Sequence, residues 1–161
     1  MRLEESDFPP GSDDERELLL QWLNYLRGAV LRNTEGLDDA QARWTPDGKL
    51  IPLLGILNHL AKVEWRWIEG GFCGADVSRT DQECAPGQDV TLREAIFAYR
   101  QRATATDAKV RSLSLAEVSE RDSWAEGNDL RWVVLHLINE TARHAGHADA
   151  VRELLDGVIG E

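Results

Sequence analysis

The chain has 161 residues, 42% of them hydrophobic and 29% charged, with a formal net charge of −11. That length suits one folded domain with a real core and is too short for two ordinary ones, and the composition is that of a globular chain rather than a disordered one. Such acidity repels phosphate backbones and anionic lipid, and no basic cluster offsets it, so neither nucleic acid nor a membrane surface is expected as a partner. The N-terminal residues have no apolar leader, and no apolar run approaches the length of a bilayer span, so a cytoplasmic location is expected. Cys73 and Cys84 fit no zinc-knuckle spacing and read as free thiols.

Residues 1–11 read as an extended arm that ends in the breaker Pro9-Pro10-Gly11. Ser12 and Glu15 have capping-box spacing, and Leu18, Leu19, Trp22, Leu23, Leu26, Val30 and Leu31 then repeat at helical spacing to about Asn33. A polar connection follows, with one short helical turn expected around residues 38–43. A second helix is expected from Ile51 or Pro52 to Glu69, apolar over much of its circumference and stopped by Gly70-Gly71. Residues 72–90 read as loop. Thr91 and Glu94 form a second capping box, opening a helix to about Leu113. A short acidic helix or turn is expected around residues 115–121. Asn128 or Asp129 then caps a last helix over 130–156 that ends at Gly157. Four long helices without strand-like alternation or solenoid repeats indicate an all-α four-helix bundle with short extra helical turns in its connections, one domain over 1–161.

The residues that stand out lie late in the last helix. At about 100° per residue, Val133, Leu137, His144, Val151 and Leu155 share a face, which puts His144 in the middle of an apolar stripe with Glu140 and His147 flanking it. Burying a carboxylate and imidazoles without partners is costly, so a metal or a dense hydrogen-bond network is expected to compensate them. His59 is in a similar apolar setting on the second helix, beside Ile56, Val63 and Trp67. Facing helices of a bundle can assemble such residues around one ion. His59, Glu140 and His144 are the candidate ligands, a set that suits zinc first, with nickel or iron(II) as alternatives, and leaves positions open for water or substrate. His147 competes as a fourth ligand or a proton relay, and His136 reads as a packing or hydrogen-bonding residue at the stripe's edge. Trp65, Trp67, Trp124 and Trp132 read as core or interface residues before they read as a substrate box.

Asn58-His59-Leu60, with Val63-Glu64 and Trp67 after it, resembles the second-helix signature of the DinB-like superfamily of four-helix metalloproteins. The last helix, from Leu130 through Arg143-His144-Ala-Gly-His147-Ala-Asp149, is similar to the branch called mini-circle proteins. The resemblance implies up-down-down-up helix order and a metal held by one His of the second helix and two residues of the last. His59 and His144 match that pattern. Glu140 stands where a second His is usual, as in the mycothiol-dependent maleylpyruvate isomerases. It further implies a metal-dependent thiol S-transferase or isomerase whose cosubstrate is a low-molecular-weight thiol of the mycothiol type, acting on a small-molecule substrate, with dimers common among relatives. His147, Glu64 or Arg143 would then handle protons or an acidic substrate group. The competing expectation is a non-catalytic metal- or ligand-binding stress-response module.

Overall fold

The computed structural model describes residue 3 and residues 8–119, 123–158 and 160. Its helices are α1 (Glu15–Arg32), α2 (Asp39–Ala42), α3 (Leu53–Glu64), α4 (Gly71–Cys73), α5 (Leu92–Ser112) and α6 (Leu130–Asp156). A π-helical turn, Trp65–Gly70, joins α3 to α4, and 3-10 turns lie at Pro46–Gly48 and Asp81–Glu83. No strand is present among the described residues; one isolated antiparallel bridge links Val118 to Asp129.

Two apolar clusters show how the long helices run. One holds Ala29–Leu31 of α1, Leu53–Leu57 of α3, Leu92 and Ala95 of α5, and Ala148 and Val151 of α6. The other holds Leu19, Leu20 and Leu23 of α1, Val63 of α3, Val110 of α5, and Leu130, Val133 and Val134 of α6. Thus α1 and α6 run from the second cluster to the first, and α3 and α5 run the opposite way. The all-α four-helix bundle has up-down-down-up order, as the resemblance implied.

Between the clusters lies a polar layer centred on Arg27, which is 0% exposed. Its Nε and Nη2 donate to Glu64 of α3 at 2.8 and 2.6 Å, and its Nη1 donates to Asp107 of α5 at 2.7 Å and to Asn24 at 2.6 Å. The bidentate fork ties three helices at one level. Glu64, expected near the reactive residues, belongs to this layer instead; it pairs with Arg27, while Arg143 is exposed on α6.

Several local expectations are corrected. The cap of α1 is Asp14, whose carboxylate accepts from the amides of Arg16 and Glu17, not Ser12. Glu15 cannot complete a Ser12 box because its carboxylate receives Arg131 of α6. Gly70-Gly71 does not stop the second helix; the left-handed Gly74 (φ 65°) does. The two glycines instead allow close packing, since a Cβ at Gly70 would lie 2.5 Å from Val77 Cγ2 and one at Gly71 would lie 2.9 Å from Ala125 Cβ. The Thr91–Glu94 box forms as expected, and Asp129 caps α6 through the Trp132 amide. The segment expected around residues 115–121 is a turn as far as Ser119, with the remainder outside the described residues, as is most of the 1–11 arm.

Removing Arg27 would leave two carboxylates facing each other in the interior. Arg27→Ala is expected to cost about 3–5 kcal/mol of stability, read as a fall in the urea midpoint at constant slope.

Candidate metal centre

On α6 the buried residues are Leu130, Val133, Val134, Leu137, Thr141, Ala145, Ala148, Val151 and Arg152. His144 therefore lies at the edge of the buried stripe rather than in its middle, with its side chain 15% exposed. Ala145 and Ala148 take the central places and keep α6 close to its neighbours.

One ligand-type atom from each of His59, Glu140 and His144 lies within 4.8 Å of the others. His59 Nε2 is 3.2 Å from Glu140 Oε1, and His144 Nε2 is 3.5 Å from the same oxygen. The two imidazole rings are 4.6 Å apart between centroids. His147 is outside this set. Its ring stacks on His144 at 6.1 Å, and its Nε2, like Nδ1 of His144, is buried without a hydrogen-bond partner. His136 is one turn before Glu140, with its ring 4.3 Å from that of Trp67 and 5.5 Å from that of Trp132.

The sequence offered no sign of Glu83. The 3-10 turn in the loop carries this carboxylate under α3, where it is 4% exposed. His59 Nδ1 donates to Glu83 Oε1 at 2.6 Å, and Arg66 donates to both carboxylate oxygens, at 2.9 Å for Nη2 to Oε1. Asn58 Nδ2 adds a bond to the Glu83 carbonyl at 2.7 Å. Gly55 permits this approach, because a Cβ there would lie 2.1 Å from the Cys84 carbonyl oxygen. With Glu83 accepting the Nδ1 proton, the ring of His59 presents Nε2 to Glu140.

The electrostatics of the set follow from burial and charge. Burial raises the Glu140 carboxyl, but the hydrogen bond from His59 and the charges of His144 and His59 outweigh it and hold the group below its usual value. Burial raises Glu83 too, and Arg66 more than reverses this. Burial pushes His144 down, and the neighbouring charge of His59 adds to that. Burial also lowers His147 and His136. An ionised carboxylate and neutral imidazoles are the protonation states a divalent cation requires.

The donor set fits such a cation. Two imidazole nitrogens lie 3.2 and 3.5 Å from one carboxylate oxygen, and a divalent cation among them would take the place of the proton that otherwise links them. Ligand atoms held at about 2.0–2.2 Å around a tetrahedral zinc would be spaced similarly, and zinc, nickel and iron(II) all accept this N/O mixture. Among the described residues no helix is long and apolar enough to cross a membrane. Cys73 and Cys84 are free.

The bundle and its convergent His/Glu/His set define a DinB-like four-helix protein. Residues 18–157 match the mycothiol-S-transferase family, and the chain belongs to that family. Among solved structures, a conserved protein from Enterococcus faecalis is similar in fold, with a TM-score of 0.72 at 14% identity, covering 91% of this chain and 100% of that one. No curated protein matches the chain.

Glu83→Gln would keep a hydrogen-bonding side chain but lose the charge that fixes the His59 ring. Metal affinity is expected to fall about 10–100-fold, measured by chelator competition, with the helical circular dichroism unchanged. The metal-free protein should also be acid-sensitive. In the unfolded chain the histidines take up protons near pH 6.5, whereas burial resists this at His136, His144 and His147 in the folded one. Stability is expected to be full well above that value and to decline as pH falls through it, read as a falling urea midpoint.

Proposed function

We propose that this protein is a metal-dependent S-transferase that joins a mycothiol-type thiol to a small electrophile. The observation that carries the reading is the convergence of His59 Nε2, Glu140 Oε1 and His144 on one point, with family membership supplying the thiol class. His59, Glu140 and His144 would hold the ion, and the positions they leave open would face the substrate. A divalent cation there supplies Lewis acidity, keeping a bound thiol sulfur as thiolate at neutral pH.

The chain's own residues do the rest. Glu83 and Arg66 hold the His59 ring in one orientation, so Nε2 does not have to be reordered when a ligand binds. Glu140, held below its usual value, would contribute a negative charge and lower the net charge of an ion bound there. We assign to His147 Nε2, buried and without a partner, the task of accepting the thiol proton. Its pKa, depressed by burial, keeps it in the neutral, accepting form. The sulfur then forms its bond to the electrophilic carbon while the leaving group departs with its electron pair.

Purified protein is expected to carry close to one equivalent of divalent metal by elemental analysis, and His144→Ala to lose it with its conjugating activity toward mycothiol. Wild-type protein that is metal-free after chelator-free purification would falsify the metal assignment. Metal-loaded protein that conjugates no electrophile with mycothiol would instead indicate a binding module.

A further inference from the structure

Between α3 and α6, next to the convergent His/Glu/His set, is a group of aromatic rings that the proposed chemistry does not use. Trp67 touches His136, with ring centroids 4.3 Å apart, and lies 5.7 Å from Trp132. His136 and Trp132 are nearly parallel, 5° between planes at 5.5 Å. Trp124 extends the group, 6.5 Å from Trp67, with the Arg66 guanidinium 5.2 Å from its ring.

Trp67 packs on the second apolar cluster, but the rings beyond it do not behave as core. Leu130, Val133 and Val134 on the same stretch of α6 are 0% exposed, whereas Trp132 and Trp124 each leave 44% of their surface open. One isolated exposed indole needs no explanation; several contiguous rings make a patch with a use. Its position suggests that use. Trp132, His136 and Glu140 follow one another at a turn's spacing along α6, about 6 Å of helix per step. The ring face is therefore one turn along α6 from the carboxylate that helps to define the candidate metal centre.

We propose that the face made by Trp67, Trp132 and His136 seats the electrophilic cosubstrate, and that this cosubstrate is a planar, electron-poor molecule. The inference rests on the S-transferase reading above and adds the substrate class. A carbon attacked by thiolate carries electron-withdrawing groups, and a conjugated electrophile is flat and poor in π density. Indole faces are electron-rich and attract such a ring by offset stacking. In the reaction the thiolate sulfur forms a bond to the activated ring carbon and the halide bond breaks, chloride leaving with the pair; the thiol proton has already gone to His147 Nε2. No charged side chain stands on α6 between Trp132 and Glu140, which favours an uncharged occupant.

The test uses the metal-loaded full chain and two probes. Equilibrium dialysis with unreactive 1,3-dinitrobenzene measures the seat without chemistry. The ratio of kcat/KM for 1-chloro-2,4-dinitrobenzene to that for 2-chloroacetamide, with mycothiol as the thiol, measures it in turnover. Trp132→Ala is expected to weaken dinitrobenzene binding about tenfold and to lower the ratio by a similar factor through KM of the aryl substrate. Leu135→Ala, an exposed apolar change on the same helix, should leave both unchanged. Equal dinitrobenzene affinity in wild type and Trp132→Ala overturns the proposal. So does a Trp132→Ala protein that keeps its affinity but changes from dimer to monomer in sedimentation, which would assign the face to a second copy of the chain. If neither electrophile turns over while dinitrobenzene binding stays saturable and dependent on Trp132, the transferase reading fails and the seat stands.

Discussion

The guanidinium of Arg27 determines which way α3 faces. It is wholly buried and must find acceptors, and it finds them in Glu64 and Asp107 from two other helices. Glu64 and His59 are five residues apart, about 140° around the helix. Once Glu64 is tied toward α1 and α5, His59 can only look toward α6. The polar layer and the candidate metal centre are thus two outcomes of one rotation. A purely apolar interface would tolerate α3 at several angles; a bidentate ion pair does not.

A second layer of control comes from outside the helices. Glu83 reaches His59 from the loop after α4, anchored by Arg66 and by Asn58 and admitted by the missing side chain at Gly55. The chain Arg66–Glu83–His59–Glu140 sets one guanidinium against two carboxylates, with an imidazole between the carboxylates. The end that lacks a cation is the one where Glu140 and His144 meet. That imbalance, more than the presence of histidines, makes the spot suited to an ion.

Helical periodicity made much of this legible. The caps at Thr91 and Asp129, the extent of α5 and α6, and the inward bias of His59, Glu140 and His144 are all encoded within one or two turns of chain. What escaped depends on contacts between distant segments. Glu64 reads locally as a neighbour of the histidine helix face, and only the Arg27 partner, 37 residues earlier, shows that it points elsewhere. Glu83 sits in a loop with no period to betray which of its side chains turns inward. Gly70-Gly71 looks like a stop because glycine ends helices more often than it packs them, and the contact that explains it involves Val77 and Ala125. At the start of α1, Asp14 displaced Ser12 because Glu15 was claimed by a helix more than a hundred residues away.

The loop between α4 and α5 has a consequence for how such a chain can vary. Connections on a bundle's end usually absorb extra residues at little cost to the packed helices. Here one residue of the connection holds the ring of His59 through a 2.6 Å bond, so its register against α3 is set to within a fraction of a residue. Lengthening the stretch just before Asp81–Glu83 would leave the bundle standing and swing the imidazole out of line. The exposed rings along α6, Trp132 among them, could be exchanged far more freely than that loop could change in length.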